Sequence, residues 1–172
     1  MSYCPRQSVL PCCSIQANAV SAENTSNALE EAARSLGLEI VFFKAGTPAE
    51  IDEAFAAFAS ERADALFIAA DGFFTSRGVQ FATLAVRDRI PASCFARDMV
   101  EAGVLMSYST SLADMFRQVG IYAGSILKGA KPTELPVLQA TKFEFVINLQ
   151  TARSLGVEVP PTLLARTDEV IE

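Results

Sequence analysis

Apolar residues recur along this chain with two alternating periods. In the stretch from Asn24 to Gly37, Ala28, Leu29, Ala32, Ala33 and Leu36 fall on one face of a helix. Gly37 is placed to end that helix in a left-handed turn. The run LEIVFF, Leu38–Phe43, is rich in strand formers. TPAE, Thr47–Glu50, marks a second helix start: Thr47 caps, Pro48 suits the first helical position and Glu50 closes a capping box. Ile51, Ala54, Phe55, Phe58 and Ala59 then repeat at helical spacing. ALFIAA, Ala65–Ala70, is apolar throughout, the pattern of a strand buried on both faces.

The alternation continues downstream. A helix is predicted from about Ser76 to Arg87, strands at Pro91–Phe95 and Val104–Tyr108, and a longer helix over Ser111–Lys128. Met115, Val119, Tyr122, Ala123 and Ile126 line one face of that helix, and Gly129 and Pro132 end it. FEFVIN, Phe143–Asn148, alternates as an edge or half-buried strand, and Leu149–Gly156 reads as a last short helix. The tail holds the Pro160–Pro161 pair and a few apolar anchors. Residues 1–20 read as an irregular leader with a short strand around Cys13–Ile15. Strands alternating with helices predict an α/β fold, a parallel sheet sandwiched between helical layers.

Composition removes several function classes. The 172 residues carry a net charge of −6 without a basic cluster, which argues against nucleic acid and anionic membrane surfaces. The chain has no histidine, so Ser-His-Asp and Cys-His catalysis and histidine-ligated metals are excluded. No G-x-G-x-x-G or Walker loop supports a nucleotide cofactor, and no cofactor is expected. Cys4, Cys12 and Cys13 crowd the start while Cys94 sits alone, with no C-x-x-C. Adjacent Cys12 and Cys13 are poorly disposed for a mutual disulfide, so free thiols are expected. No apolar run approaches the ~20 residues of a membrane span, and MSYCPRQSVLPCC lacks the apolar core of a signal peptide.

In open parallel sheets, ligands bind beyond the carboxyl ends of the strands. Three segments follow such ends: Asp71–Thr75, Ala96–Val100 and Ser107–Ser111. ADGFFTSRG, Ala70–Gly78, is unusual because it sets two phenylalanines where a turn is expected. One reading makes Phe73 and Phe74 an apolar wall of a small-molecule site. Asp71 would be its charged handle, Arg97 a fork for a carboxylate, and Tyr108 an added ring and hydroxyl. The other reading gives these residues structural work: Phe73 and Phe74 as packing, Asp71-Gly72 as a turn pair, Arg97 and Asp98 as a solvated pair. An enzyme on this sheet is disfavoured, since no paired acid/base constellation is present.

Longer runs carry a resemblance. AGVLMSY, ILKGAKPTELPV, TKFEFVINL and PPTLLARTDEVIE, with EEAARSLGLEI and ERADALFIAADGFF upstream, resemble the substrate-binding proteins of bacterial ABC transporters. The family meant is the one with a type I periplasmic-binding-protein fold that includes aromatic-amino-acid binders. The resemblance covers roughly residues 24–172 and implies one lobe of that two-lobed fold, plus a returning helix of the other lobe. It implies a hinge near Met106–Tyr108, with about 106–135 returning to the other lobe. By loop, it carries Asp71, Phe73, Phe74, Phe95, Arg97 and Tyr108 over as ligand-binding residues. The implied role is solute binding for an ABC permease in the periplasm, with no catalysis. The family's first lobe and secretion signal have no counterpart, so residues 1–20 are expected to be a leader on a truncated form. A half cleft and an uncovered 111–128 helix would favour a homo-oligomer, with exchanged helices as one form of it. The competing expectation is an oligomerising remnant that binds no specific ligand.

Overall fold

The computed structural model describes residues 9–14, 19–61 and 63–172. The strands are β1 (Val9–Ser14), β2 (Glu39–Lys44), β3 (Leu66–Ile68), β4 (Ala92–Cys94), β5 (Met106–Thr110), β6 (Phe143–Asn148) and β7 (Glu169–Ile171). The helices are α1 (Ala19–Leu36), α2 (Pro48–Glu61), α3 (Gly72–Ser76), α4 (Gly78–Asp88), α5 (Arg97–Glu101), α6 (Leu112–Leu127), α7 (Leu149–Leu155) and α8 (Pro161–Leu164). The strands form one sheet in the order β2-β1-β3-β4-β5-β6-β7. The first five run parallel, β6 is antiparallel to β5, and β7 is parallel to β6. The expected α/β lobe is therefore present.

Alternation sets which face of the sheet is covered. Leu66 and Ile68 on β3, with Ala92 and Cys94 on β4, are buried, while Phe67 and Ser93 between them are only half-buried. The covering helices are α2, α4 and α5, which supply Phe55, Phe58, Phe81, Met99 and Val100 to the same core. A chain of rings runs through it. Phe43 meets Phe58 edge-on at 4.7 Å, Phe55 links Phe58 to Phe81, and Phe81 meets Phe74 edge-on at 5.1 Å. Such edge-to-face pairs add stability beyond their burial. The expected capping box forms at α2: the Glu50 amide donates to Thr47 Oγ1 at 3.3 Å, and Glu50 Oε2 accepts from the Thr47 and Gly46 amides. Gly37 follows α1 with φ +66°, a conformation that an L residue with a Cβ adopts at a cost.

Several elements differ from the sequence reading. Within the stretch read as an irregular leader, β1 spans Val9–Ser14 and lies inside the sheet between β2 and β3. Pro11 gives up a ladder donor, yet pairing with two neighbours defines the strand where local propensity does not. The pairing of Cys4, Cys12 and Cys13 lies outside the described side chains. The helix expected from Ser76 begins earlier, because Asp71 caps α3, and it breaks at Arg77 before α4. Ala96–Val100, read as a loop segment, is instead the cap and most of α5, since Met99 and Val100 are both buried in the core. β6 is not an edge strand, because β7 in the tail pairs along its outer side.

Among the described residues the α6 stripe is left mostly uncovered: only Tyr122 in it is half-buried, its hydroxyl donating to the Pro136 carbonyl. Ser111 caps this helix and accepts the Asp114 amide, but no residue of α6 is buried among the described residues. Phe116 is 72% exposed and Leu127 88%.

Cys94 is free and buried, with its Sγ 3.4 Å from the carbonyl oxygens of Ala96 and Met106. Burial pushes its thiol from an ordinary value of 9.0 up to about 11. The unfolded thiol ionises first, so the stability contribution is complete below pH 9 and is lost as pH rises toward 11. We expect Cys94 in the folded chain to resist iodoacetamide at pH 8 and to react at the ordinary thiol rate in urea. Mass spectrometry after limited alkylation checks this, and rapid labelling of native Cys94 would contradict it.

Candidate functional site

The carboxyl ends of β3, β4 and β5 point the same way because these strands are parallel. Their following segments converge on one open cleft of about 370 Å³. Ala70 and Thr75 come from the end of β3 and α3, Phe95–Asp98 from the β4–α5 junction, and Ser109 and Thr110 from β5. Leu112 and Ala113 enter from α6, and Glu144 from β6. The volume suits a small molecule.

The six residues expected at a site divide. Phe95 and Arg97 line the cleft. Asp71 does not line it: half-buried, it caps α3, its Oδ1 accepting the Phe73 amide at 2.7 Å. Capping also explains the odd pair of phenylalanines, which belong to a helical turn. Phe74 is wholly buried and presents no surface to a ligand, while Phe73 is half-buried beneath the Arg77 guanidinium, 5.5 Å from its ring centroid. Tyr108 sits on the other face of the sheet, because side chains alternate along β5. It stacks on Phe143 at 5.6 Å and meets Phe145 edge-on, in a separate groove with Arg166 and Asp168.

Arg97 has the forked geometry expected of it, but a carboxylate of the chain fills the fork. Its Nη1 and Nη2 donate to the two carboxylate oxygens of Glu169 on β7, the second at 2.8 Å. Nε donates to Glu101 at 3.0 Å. Neighbouring Asp98, the pair partner suggested by sequence, is not among its partners. The paired side chains are two-fifths to one-half exposed, so each pair contributes under about 1 kcal/mol. Their main effect is positional, tying β7 to the start of α5.

Sequence reasoning placed Thr75, Ser109 and Thr110 inside candidate segments without singling them out, and it missed Glu144. The available signal was period two: Ser109 and Glu144 are register partners on β5 and β6, so their side chains share the cleft face. Glu144 is half-buried, and its Oε1 accepts the Ser111 hydroxyl at 2.6 Å.

The family model for ABC transporter substrate binding proteins matches residues 7–171. The chain belongs to this family. Solved structures share its fold. A conserved domain protein from Vibrio cholerae superposes with a TM-score of 0.85 at 25% identity, over 96% of this chain and 55% of its own. The ABC domain from Streptococcus pneumoniae in complex with L-Trp gives 0.84 at 24% identity, over 97% and 57%. The ligand-free, open form of CD0873, a Clostridium difficile substrate binding protein with adhesive properties, gives 0.71 at 20%, over 98% and 55%. The last two comparisons speak to fold alone. The chain spans just over half the length of these solved chains. No curated protein sequence matches it.

Proposed function

We propose that this chain serves an ABC importer as a solute-binding lobe, holding a small amino-acid-like or carboxylate ligand in the cleft and performing no chemistry. The observation that carries this reading is the convergence of three strand ends of a substrate-binding protein on one cleft with mixed lining. Phe95, Leu112 and Ala113 supply apolar wall, and Thr75, Ser109 and Thr110 supply hydroxyls. Asp71 and Phe74 act from behind, the first by capping α3 and the second by packing under it. An amino-acid-like ligand is consistent with the L-Trp held by the Streptococcus pneumoniae relative. The partner would be an ABC permease. The location would be periplasmic or extracellular, as is normal for the family.

A thermal-melt series against amino acids and small carboxylates tests the reading. A ligand present at a hundredfold its Kd stabilises by about 2.7 kcal/mol, a rise of roughly 5–10 °C for a chain of this size. We expect a saturable rise with one chemical class, lost in Phe95→Ala. No rise at millimolar concentrations of any member would refute binding by this lobe.

A second reading has its own support. The uncovered apolar stripe of α6 favours self-association, whether or not a ligand binds.

A further inference from the structure

The cleft carries an unbalanced charge, and resting on the binding reading above, we propose that Glu144 is the receptor for an ammonium group on the ligand. Among the described residues three ionisable side chains line the cleft: Arg97, Asp98 and Glu144. The one base among them, Arg97, is committed to Glu169 and Glu101. Its fork is therefore not open to a ligand carboxylate, and the charge left for a ligand to meet is negative. Asp98 is exposed in the first turn of α5, where water and the helix N-terminus already favour an anion. Glu144 is different. It is half-buried, and among the described residues no cation pairs with it within salt-bridge distance.

Its position is set from two sides. The antiparallel register places Glu144 opposite Ser109, on the cleft face, while Phe143 and Phe145 turn to the Tyr108 face. The buried Ser111 hydroxyl then holds Oε1 at 2.6 Å, itself anchored as the cap of α6. Among the described residues Oε2 has no hydrogen-bond partner. A half-buried carboxylate beside Phe95, Leu112 and Ala113 gains most from a donor that is also a cation. The class selected is a small primary amine with an apolar group, amino acids included. Carboxylic acids without an amine are disfavoured.

Matched ligands on the full chain test this: L-leucine, L-phenylalanine and L-tryptophan, each beside its N-acetyl derivative, together with phenethylamine and 3-phenylpropionate. The readout is Kd from melting shifts. Free amines should bind about tenfold or more tightly than their N-acetyl forms, and 3-phenylpropionate should be the weakest. Glu144→Gln keeps an acceptor for Ser111, so its unliganded melting temperature should stay near wild type while free-amine affinity falls about tenfold and N-acetyl affinity does not change. Glu144→Asp, which keeps the charge, should keep the preference for amines and covers the case in which Glu144→Gln fails to fold. If N-acetyl and free ligands bind alike, or if Glu144→Gln weakens both equally, Glu144 only holds Ser111 and the proposal is overturned, with the cleft reading intact. If no ligand binds, or if binding survives Phe95→Ala unchanged, the cleft reading itself fails and the proposal falls with it.

Discussion

Phe74→Ala should lower the unfolding free energy by about 3–5 kcal/mol, the range for deleting a buried aromatic side chain. Phe74 has no solvent exposure, meets Phe81 edge-on at 5.1 Å and lies in the same core as Phe55, Phe58 and Ile68. Close-packed surroundings relax only partly around the void, so cavity cost adds to lost burial. The neighbouring Phe73→Ala should cost less, because Phe73 is only half-buried at the margin of that core, between the Phe74 ring at 6.1 Å and the Arg77 guanidinium. Urea denaturation of the two variants measures the contrast. Equal, small losses would return Phe74 to the surface and revive its role as a cleft wall. Any ligand-induced rise in melting temperature should persist in Phe73→Ala.

The second large effect concerns association. Leu112, Phe116, Val119 and Leu127 are all more than half exposed along α6, with Met115 and Ile126 beside them at 43% each. Contiguous apolar surface of this kind drives contact between copies. At tens of micromolar, sedimentation equilibrium should therefore find dimers or larger species. Phe116→Glu puts a charge in the middle of the stripe. Its dissociation constant should rise about 30-fold or more, as for loss of a central aromatic anchor. Helix content by circular dichroism should hold, because Phe116 packs against no core residue. A wild-type chain that sediments as a monomer at that concentration would refute self-association through this face. A persistent dimer in Phe116→Glu would move the interface elsewhere.

Much of the architecture was legible because local patterns report burial directly. The capping box at Thr47 and Glu50, the left-handed stop at Gly37 and the strand–helix junction at Asn148 follow from neighbours within four residues. Asn148 shows how a local signal can do two jobs. Its Oδ1 accepts the Thr151 amide at 2.9 Å to start α7, and its Nδ2 donates to the Val100 carbonyl across the core. The first bond is a sequence-level cap, while the second depends on folding.

Of the candidate site, the place was legible and the roles were not. Parallel strands put their carboxyl ends on one side, so three segments spaced along the chain meet in one cleft. Which side chain enters that cleft depends on alternation and helix starts. Moving the helix start to Gly72 turned Phe74 inward, and the pleat of β5 sent Tyr108 to the opposite face.

By itself the sequence determined the α/β class, the order of most elements, the family and the absence of histidine chemistry, because composition and period are local properties. Only the tertiary structure decided that Arg97 is held by Glu169, 72 positions away, and that Glu144 faces the cleft with no counter-ion among the described residues. It also decided that residues 9–14 complete an interior strand despite a proline. Each of these rests on partners far apart in the chain, and pairing energy between distant segments is realised only when the sheet brings them together.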